Sequence, residues 1–339
     1  MLNNTHMRKA TQYLEDKEQS IVIVMHTNPD GDAVGSSLGL YDYLLRAGYS
    51  NVSVIAPDSY ASFLHWMPGN DHVIIAGEQK ELAFDLVRKA SLLFCLDFNG
   101  FSRSGQLEQP LRESGAKKIM IDHHPEPENG FDLVISQVGA SSTAELIYEF
   151  IAAMGDADRL SLEAAQCLYA GIITDTGSFS YGCNNPRTYQ IVARLIEKGV
   201  DGAHLHRLIY STYTLDRMRL LGYCLHDKLK VLAKARTAYI SLSREELQRF
   251  NYQEGDTEGV VNYALAIQNI QLAALFTEQD DHVKASFRSA GDVDVNKLAR
   301  QHYSGGGHKN AAGGKSFQSL TDTEQNFIAL INQEKDSKR

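Results

Sequence analysis

Cysteine is scarce in this chain. Its 339 residues hold four, Cys95, Cys167, Cys183 and Cys224, scattered and without a CxxC pair. That excludes a disulfide framework and a zinc ribbon, and it fits reduced thiols in a cytosol. No stretch approaches the roughly 18 apolar residues of a membrane span, so no membrane partner is expected. Glu15, Asp16 and Glu18 interrupt the start, and no apolar core of a secretory signal is visible. The expected location is therefore cytoplasmic. Positive charge is also short: 33 Lys and Arg face 42 Asp and Glu, a net charge of −9. No global basic field would draw in long duplex nucleic acid. A short or terminal anionic substrate stays open if metals and a local patch supply the positive charge. There is no internal repeat and no low-complexity tract.

What is present is ordinary in composition, with 22% charged and 43% hydrophobic residues, and long enough for about two domains. Ile21 to Met25 is a continuous apolar run that reads as a central parallel strand. Ser91 to Leu96 is a second such run, and Ile119 to Ile121 a third. Val52 to Ile55, Val73 to Ile75 and Phe131 to Ile135 read as further strands. Helical spacing falls between them, at Gly35 to Tyr49, Glu81 to Ala90 and Gln106 to Ser114. This rhythm predicts an α/β fold with a doubly wound parallel sheet. From Ser141 to Asp227 the pattern is helical. Lys228 to Ala235 is basic and weakly patterned, and reads as a linker. A smaller α+β domain follows, with strands at Ala238 to Leu242, Gln271 to Thr277 and His282 to Arg288. The expected division is 1–227, a linker at 228–236, and 237–339.

Acids and imidazoles end the apolar runs. His26, Asp30 and Asp32 follow the first, and Asp97 follows the second. Asp122, His123 and His124 follow the third, where Pro125 stops the strand. Asp175 closes the run LYAGIIT. A lone Asp after a strand is most often a turn former or a helix cap. In a parallel sheet, however, carboxyl ends share one edge, so distant residues converge there. Carboxylates suit hard divalent cations, and imidazole shifts the preference toward Mn²⁺ and its later neighbours. Gly31 would let a tight loop turn Asp30 and Asp32 inward. Gly35, Ser36 and Ser37 would then open a helix whose amino end favours an anion. Jointly, these clusters read as a two-metal phosphoester hydrolase.

The motifs resemble those of the DHH phosphoesterase family with a C-terminal DHHA1 domain. His26-x-x-x-Asp30-x-Asp32, Asp97, Asp122-His123-His124 and Asp175-Thr-Gly-Ser-Phe match four ordered motifs. Ser304-Gly-Gly-Gly-His308-Lys-Asn-Ala-Ala-Gly313 resembles the glycine-rich signature of DHHA1, with Ser304 where many relatives carry glycine. The resemblance spans Ile21 to Phe317. It implies that His26, Asp30 and Asp97 hold one ion, and that Asp32, Asp97, His123 and Asp175 hold another, with Asp97 shared. The implied ions are two divalent cations, Mn²⁺ first, with Mg²⁺ or Co²⁺ also suitable. Such a pair, about 3.5–4 Å apart, activates a water for in-line attack on phosphorus. Asp122 is expected to orient neighbours of the centre, and His124 to face substrate.

The second domain is expected to bind the rest of the substrate, with the active site in a cleft between the domains. Gly305, Gly306 and Gly307 would bring backbone amides to a phosphate, beside His308 and Lys309. Arg288, with Ser289, and Arg103 are candidate phosphate clamps. Asn262 either lines the cleft or caps a helix. The compact form lacks the additions of RecJ-type exonucleases and membrane-bound cyclic-di-AMP phosphodiesterases. It resembles the nano-RNase and pAp phosphatase group. The implied substrates are short single-stranded RNA or DNA oligonucleotides and 3′-phosphoadenosine 5′-phosphate (pAp). Two alternatives stand beside this: a phosphohydrolase of linear dinucleotides such as pApA or of polyphosphate, and a non-catalytic nucleotide-binding module. A homodimer is compatible with all three.

Overall fold

In the computed structural model, which describes residues 4–336, the chain divides into two units between Thr212 and Tyr213. The first unit begins α1 (Asn4–Tyr13), β1 (Ile21–Val24), α2 (Gly31–Arg46), β2 (Val52–Ala56), β3 (Val73–Ile75) and α3 (Lys80–Lys89). It continues β4 (Leu92–Leu96), α4 (Glu108–Glu113), β5 (Lys117–Asp122), β6 (Leu133–Ser136) and α5 (Thr143–Ala153). It closes with α6 (Leu162–Asp175), α7 (Pro186–Glu197) and α8 (Gly202–Tyr210).

Its six strands form one parallel sheet in the order β3-β2-β1-β4-β5-β6. The apolar runs are continuous because both faces are covered. Ile21 and Ile23 of β1 pack with Val34 and Leu38 of α2 and with Leu146 and Leu168 of α5 and α6. Val22 and Val24, one residue out of step, pack with Ala83, Val87 and Leu111 of α3 and α4. Strand order reverses direction between β1 and β4, which pair Val24 with Cys95. Such a switch point is where open α/β sheets leave a crevice at the carboxyl ends.

Helix α2 starts one turn earlier than expected. Asp30 caps it, its Oδ1 accepting from the amides of Asp32 at 3.0 Å and Ala33 at 3.1 Å. Gly31 is thus helical rather than a turn former, and its lack of a side chain serves close packing. A Cβ at Gly31 would lie 2.4 Å from Thr174 Oγ1, and one at Gly35 2.4 Å from the Cys167 carbonyl oxygen. One at Gly39 would lie 2.6 Å from Leu168 Cδ2. This glycine seam lets α2 lie directly on α6.

The second unit begins α9 (Leu215–Tyr223), β7 (Lys230–Leu232), β8 (Thr237–Leu242), α10 (Arg244–Arg249), α11 (Val260–Leu265) and β9 (Leu272–Glu278). It ends β10 (Val283–Ser289), α12 (Val295–His302), β11 (Gly306–His308), β12 (Ala311–Ser316) and α13 (Leu320–Asp336). Its sheet order is β11-β12-β10-β9-β8-β7, antiparallel except for β8 with β9. One face is aromatic, built on Phe276, Phe287, Tyr303 and Phe327. The other packs Ala238, Ile240 and Leu275 with Val261 and Ala264 of α11.

The stretch expected to be a linker is part of this sheet. Lys230 to Leu232 pair with Tyr239 to Thr237, and a short 3₁₀ turn, Ala233–Ala235, joins the two strands. Helix α9, expected in the first domain, buries Leu220 in the core of the second unit beside Cys224. No helix among the described residues is long and apolar enough to cross a membrane.

Candidate active site

Three strand ends and two helices supply the acids and imidazoles. His26 follows β1, Asp97 follows β4, and Asp122 ends β5 with His123 and His124 just after it. Asp32 lies in the first turn of α2, and Asp175 is the last residue of α6. An acid at a helix carboxyl end opposes the helix dipole, which marks Asp175 as placed for something other than stability. The glycine seam sets the spacing of these two helices. A Cβ on Gly171 would touch Asp32 Oδ1 at 2.9 Å and Ala144 Cβ at 2.6 Å.

Asp97 is the centre. It is buried, and its backbone takes the left-handed conformation, φ 63°. Aspartate tolerates this better than most residues, and such strain is concentrated at functional sites. Asp97 Oδ2 lies 3.3 Å from His26 Nε2, and Oδ1 lies 3.6 Å from His123 Nε2 and 3.7 Å from His124 Nδ1. Asp30 Oδ1 lies 3.9 Å from His26 Nε2. On the other side His123 Nε2 lies 3.4 Å from Asp175 Oδ2 and 3.9 Å from Asp32 Oδ2. Each ring is held by its far nitrogen. His26 Nδ1 donates to the Thr27 carbonyl at 2.7 Å, and His123 Nδ1 to that of Ala140 at 3.3 Å. Both rings thereby direct Nε2 at carboxylates.

Two triads could each hold a metal ion, His26 with Asp30 and Asp97, and Asp32 with His123 and Asp175. Asp97, Asp122 and His124 form a third group of the same kind. The first set is the one expected for one ion. The second contains three of the four residues expected for the other, with Asp97 Oδ1 alongside His123.

The electrostatics are those of crowded negative charge. Burial raises the Asp32 carboxyl well above its usual range, and the charges of Asp97, Asp175 and Asp30 add to this. Burial would raise Asp97 too, but the bond and charge of His26, with His124 and His123, hold it well below the carboxylate range. Burial lowers the His26 and His123 imidazoles. For His26 the Asp97 bond together with the Asp30 and Asp97 charges outweighs it, and for His123 the Asp175, Asp97 and Asp122 charges with the Ala140 bond do so, and both end up raised. Asp122 is pushed to about 6, by burial and then by Asp97. Its Oδ1 lies 2.7 Å from His124 Nδ1, so Asp122 pairs with His124.

Arg103 lies in the 3₁₀ segment Phe101–Leu107, and its carbonyl accepts from the Thr27 amide at 2.7 Å. Among the described residues its guanidinium makes no salt bridge, and its charge opposes protonation of both His26 and Asp122. It therefore stands beside the carboxylate cluster rather than in a surface ion pair.

In the second unit, His308 pairs with Ala311 and Ala311 with Arg288, so Arg288 and His308 share one face of the sheet. Arg288 Nη1 donates to the Phe287 carbonyl at 3.0 Å, while its buried Nε has no partner among the described residues. Ser289 faces the other way. It is buried, and its hydroxyl donates to the Val293 carbonyl at 2.6 Å and accepts from Asn310 Nδ2 at 2.9 Å. Lys309 pairs with Asp292 at 3.0 Å.

The glycine run is strand β11 and its approach, not an open loop. A Cβ at Gly305 would lie 2.0 Å from the Gly313 carbonyl oxygen, and one at Gly307 2.5 Å from that of Ala311. These two glycines serve a tight hairpin. At Gly306 a Cβ would meet nothing nearer than 3.6 Å. Ser304, just before, is left-handed at φ 44°, a conformation that suits glycine.

The start of α5 carries functional contacts that residue type did not announce. Asp32 accepts from the amides of Thr143 at 2.6 Å and Ala144 at 2.8 Å, and Asp97 Oδ1 accepts from Thr143 Oγ1 at 2.8 Å. Glu145 ties the same turn down, accepting from Ser141 Oγ at 2.6 Å and Thr188 Oγ1 at 2.7 Å. The available signal was the helix-start pattern Ser142-x-x-Glu145.

Comparison with known proteins agrees with this geometry. Residues 20–172 match the model of the DHH family, N-terminal domain, and residues 235–335 match that of the DHHA1 domain. The chain is 30% identical to the bifunctional oligoribonuclease and PAP phosphatase NrnA of Bacillus subtilis, over 88% of this chain and 90% of that one. It is 31% identical to a probable bifunctional oligoribonuclease and PAP phosphatase NrnA of Streptococcus mutans, over 92% and 94%. A crystal structure of an exopolyphosphatase-related protein from Bacteroides fragilis superposes with a TM-score of 0.92 at 39% identity, covering 98% of this chain and 97% of that one. With four DHH motifs gathered on one sheet edge and a DHHA1 unit behind them in sequence, this chain belongs to the DHH family.

Proposed function

We propose that this chain is a metal-dependent phosphoesterase that hydrolyses short oligonucleotides and pAp, with Mn²⁺ as the favoured ion. The observation that carries the reading is the convergence of His26, Asp30, Asp32, Asp97, His123 and Asp175 around one carboxylate, Asp97. Similarity over about nine-tenths of the length of relatives named for these two activities supports the substrate class.

The donor set fits divalent cations. It is oxygen-rich with two imidazoles, which suits Mn²⁺ over Zn²⁺-type thiolate sites. Among the described residues, no Lys or Arg bridges Asp32 or Asp97, whose ion-pair partners are all histidines. The cluster therefore carries negative charge that cations would balance. His26, Asp30 and Asp97 would hold one ion. Asp32, Asp97, His123 and Asp175 would hold the other. The chemistry such ions supply when bound is a lowered pKa for water and neutralisation of charge on phosphoryl oxygens.

The protein's own groups do the rest. Asp122 fixes the Nδ1 proton of His124, so His124 Nε2 is the atom that would hold a proton at a phosphate or leaving-group oxygen. Arg103 adds positive charge beside the cluster. In the DHHA1 unit, Arg288 and His308 would take a further phosphate of the substrate, with Gly306 supplying a backbone amide. Ser289 would act only indirectly, by holding the turn after β10.

A second reading, polyphosphate hydrolysis, is favoured by the Bacteroides fragilis likeness and its name. One panel separates them: pAp, di- to pentanucleotides, pApA and polyphosphate, each with Mn²⁺, Mg²⁺ and Co²⁺. Turnover of pAp and short oligonucleotides supports the first reading. Failure on both sinks it, and faster turnover of polyphosphate moves the assignment to the second.

A further inference from the structure

Thr143 lies outside the motifs read from the sequence, yet it touches two candidate ligands. Its hydroxyl donates to Asp97 Oδ1 at 2.8 Å and its amide to Asp32 Oδ2 at 2.6 Å. We propose that Thr143 is a positioning residue of the metal centre: its hydroxyl fixes the rotation of the Asp97 carboxylate so that one oxygen faces each candidate ion position. This rests on the metal reading above and deepens it.

A shared carboxylate must keep its two oxygens aimed apart. Asp97 meets that condition, with Oδ2 3.3 Å from His26 Nε2 and Oδ1 3.6 Å from His123 Nε2. The carboxylate torsion of aspartate is broad, so this aim needs a partner. The imidazoles are poor candidates, since the same Nε2 atoms would turn to the ions. Thr143 Oγ1 is the only hydroxyl that donates to Asp97 among the described residues. It is neutral, so it neither competes for a cation nor repels one.

The hydroxyl is also well held. Thr143 is fully buried in the first turn of α5, where Ser142 caps the helix by accepting from the Glu145 amide at 3.0 Å. A β-branched side chain has few rotamers there. Its own amide and that of Ala144 are anchored on Asp32, a residue of another helix. The helix start thus couples the shared carboxylate to a ligand of the second ion.

The test compares wild type, Thr143→Val and Thr143→Ser. Valine keeps the shape without the donor, and serine keeps the donor. Mn²⁺ binding is followed by calorimetry, folding by circular dichroism, and kcat and KM are measured on pAp. The expected result is Thr143→Val folded, with Mn²⁺ affinity reduced about 10–100-fold, and Thr143→Ser close to wild type. Unchanged Mn²⁺ affinity in Thr143→Val overturns the inference, as does an equal loss in Thr143→Ser. If valine prevents folding, Thr143→Ala is read in its place and the serine criterion still applies. A wild type that binds Mn²⁺ and cleaves pAp beside an unimpaired Thr143→Val defeats this inference alone. A wild type that binds no divalent ion defeats the metal reading and this inference with it.

Discussion

Asp122 Oδ1 lies 2.7 Å from His124 Nδ1, while the neighbouring His123 turns its Nε2 to Asp175, Asp97 and Asp32. Two adjacent imidazoles thus have different surroundings, and different losses are expected. His123→Ala should lose bound Mn²⁺. His124→Ala should keep its Mn²⁺ and lose about 10²–10⁴-fold in kcat, the usual range for a general acid or base. Metal analysis beside steady-state kinetics reads both. Equal metal loss in the two variants would show that the division of roles is wrong.

Gly171→Ala tests the helix seam. The added methyl would press on Ala144 and Asp32 at 2.6 and 2.9 Å. The expected cost is about 1–3 kcal/mol in a thermal melt, the range for overpacking, with weakened Mn²⁺ binding. Gly222→Ala is the control. It lies in α9 with no atom within 4 Å of the new methyl, so about 0.4–1 kcal/mol of stabilisation is expected.

Much of this site was legible in the sequence because an apolar run that stops at an acid describes a buried strand and its functional end together. β1, β4 and β5 were readable in that way, and so were His26, Asp97 and Asp122 to His124. Long-range packing was not. Gly31 and Gly35 look like loop and helix-start residues until α6 is laid against them. The glycines near His308 suggest a phosphate loop until the hairpin shows backbone at 2.0 and 2.5 Å from the missing methyls. Thr143 was invisible for a related reason. Two of the donors at the start of α5 are backbone amides, which every residue but proline carries.

Acid lability is expected in the second unit at Glu246. Its Oε1 accepts from Tyr223 Oη at 2.5 Å and Lys228 Nζ at 2.8 Å, and its Oε2 from the Ser243 amide at 2.8 Å. Burial alone would raise this carboxyl. The bonds from Lys228, Tyr223 and Ser243 outweigh it and lower the pKa from 4.5 to about 2. The folded-state value is depressed, so the stabilisation is complete above pH 4.5 and is lost as pH falls toward 2. Glu246→Gln should lower stability at neutral pH and flatten that acid limb. Parallel denaturation curves from pH 7 down would contradict this.

Tyr303 makes the opposite prediction. Its hydroxyl is buried with no partner among the described residues, beneath Phe287 at 4.8 Å between ring centroids. Removing an unsatisfied polar group relieves a desolvation cost, so Tyr303→Phe should be neutral or gain about 1 kcal/mol. A clear fall in melting temperature would reveal a partner for that hydroxyl.

The central claim is that Asp97 joins two ion positions, and Asp97→Ala tests it most directly. Metal content and pAp hydrolysis are measured on wild type and variant after loading with Mn²⁺ and removal of excess. The account predicts two Mn²⁺ per chain in wild type, both lost from Asp97→Ala together with hydrolysis. An Asp97→Ala protein that keeps both ions, or cleaves pAp at the wild-type rate, would contradict it.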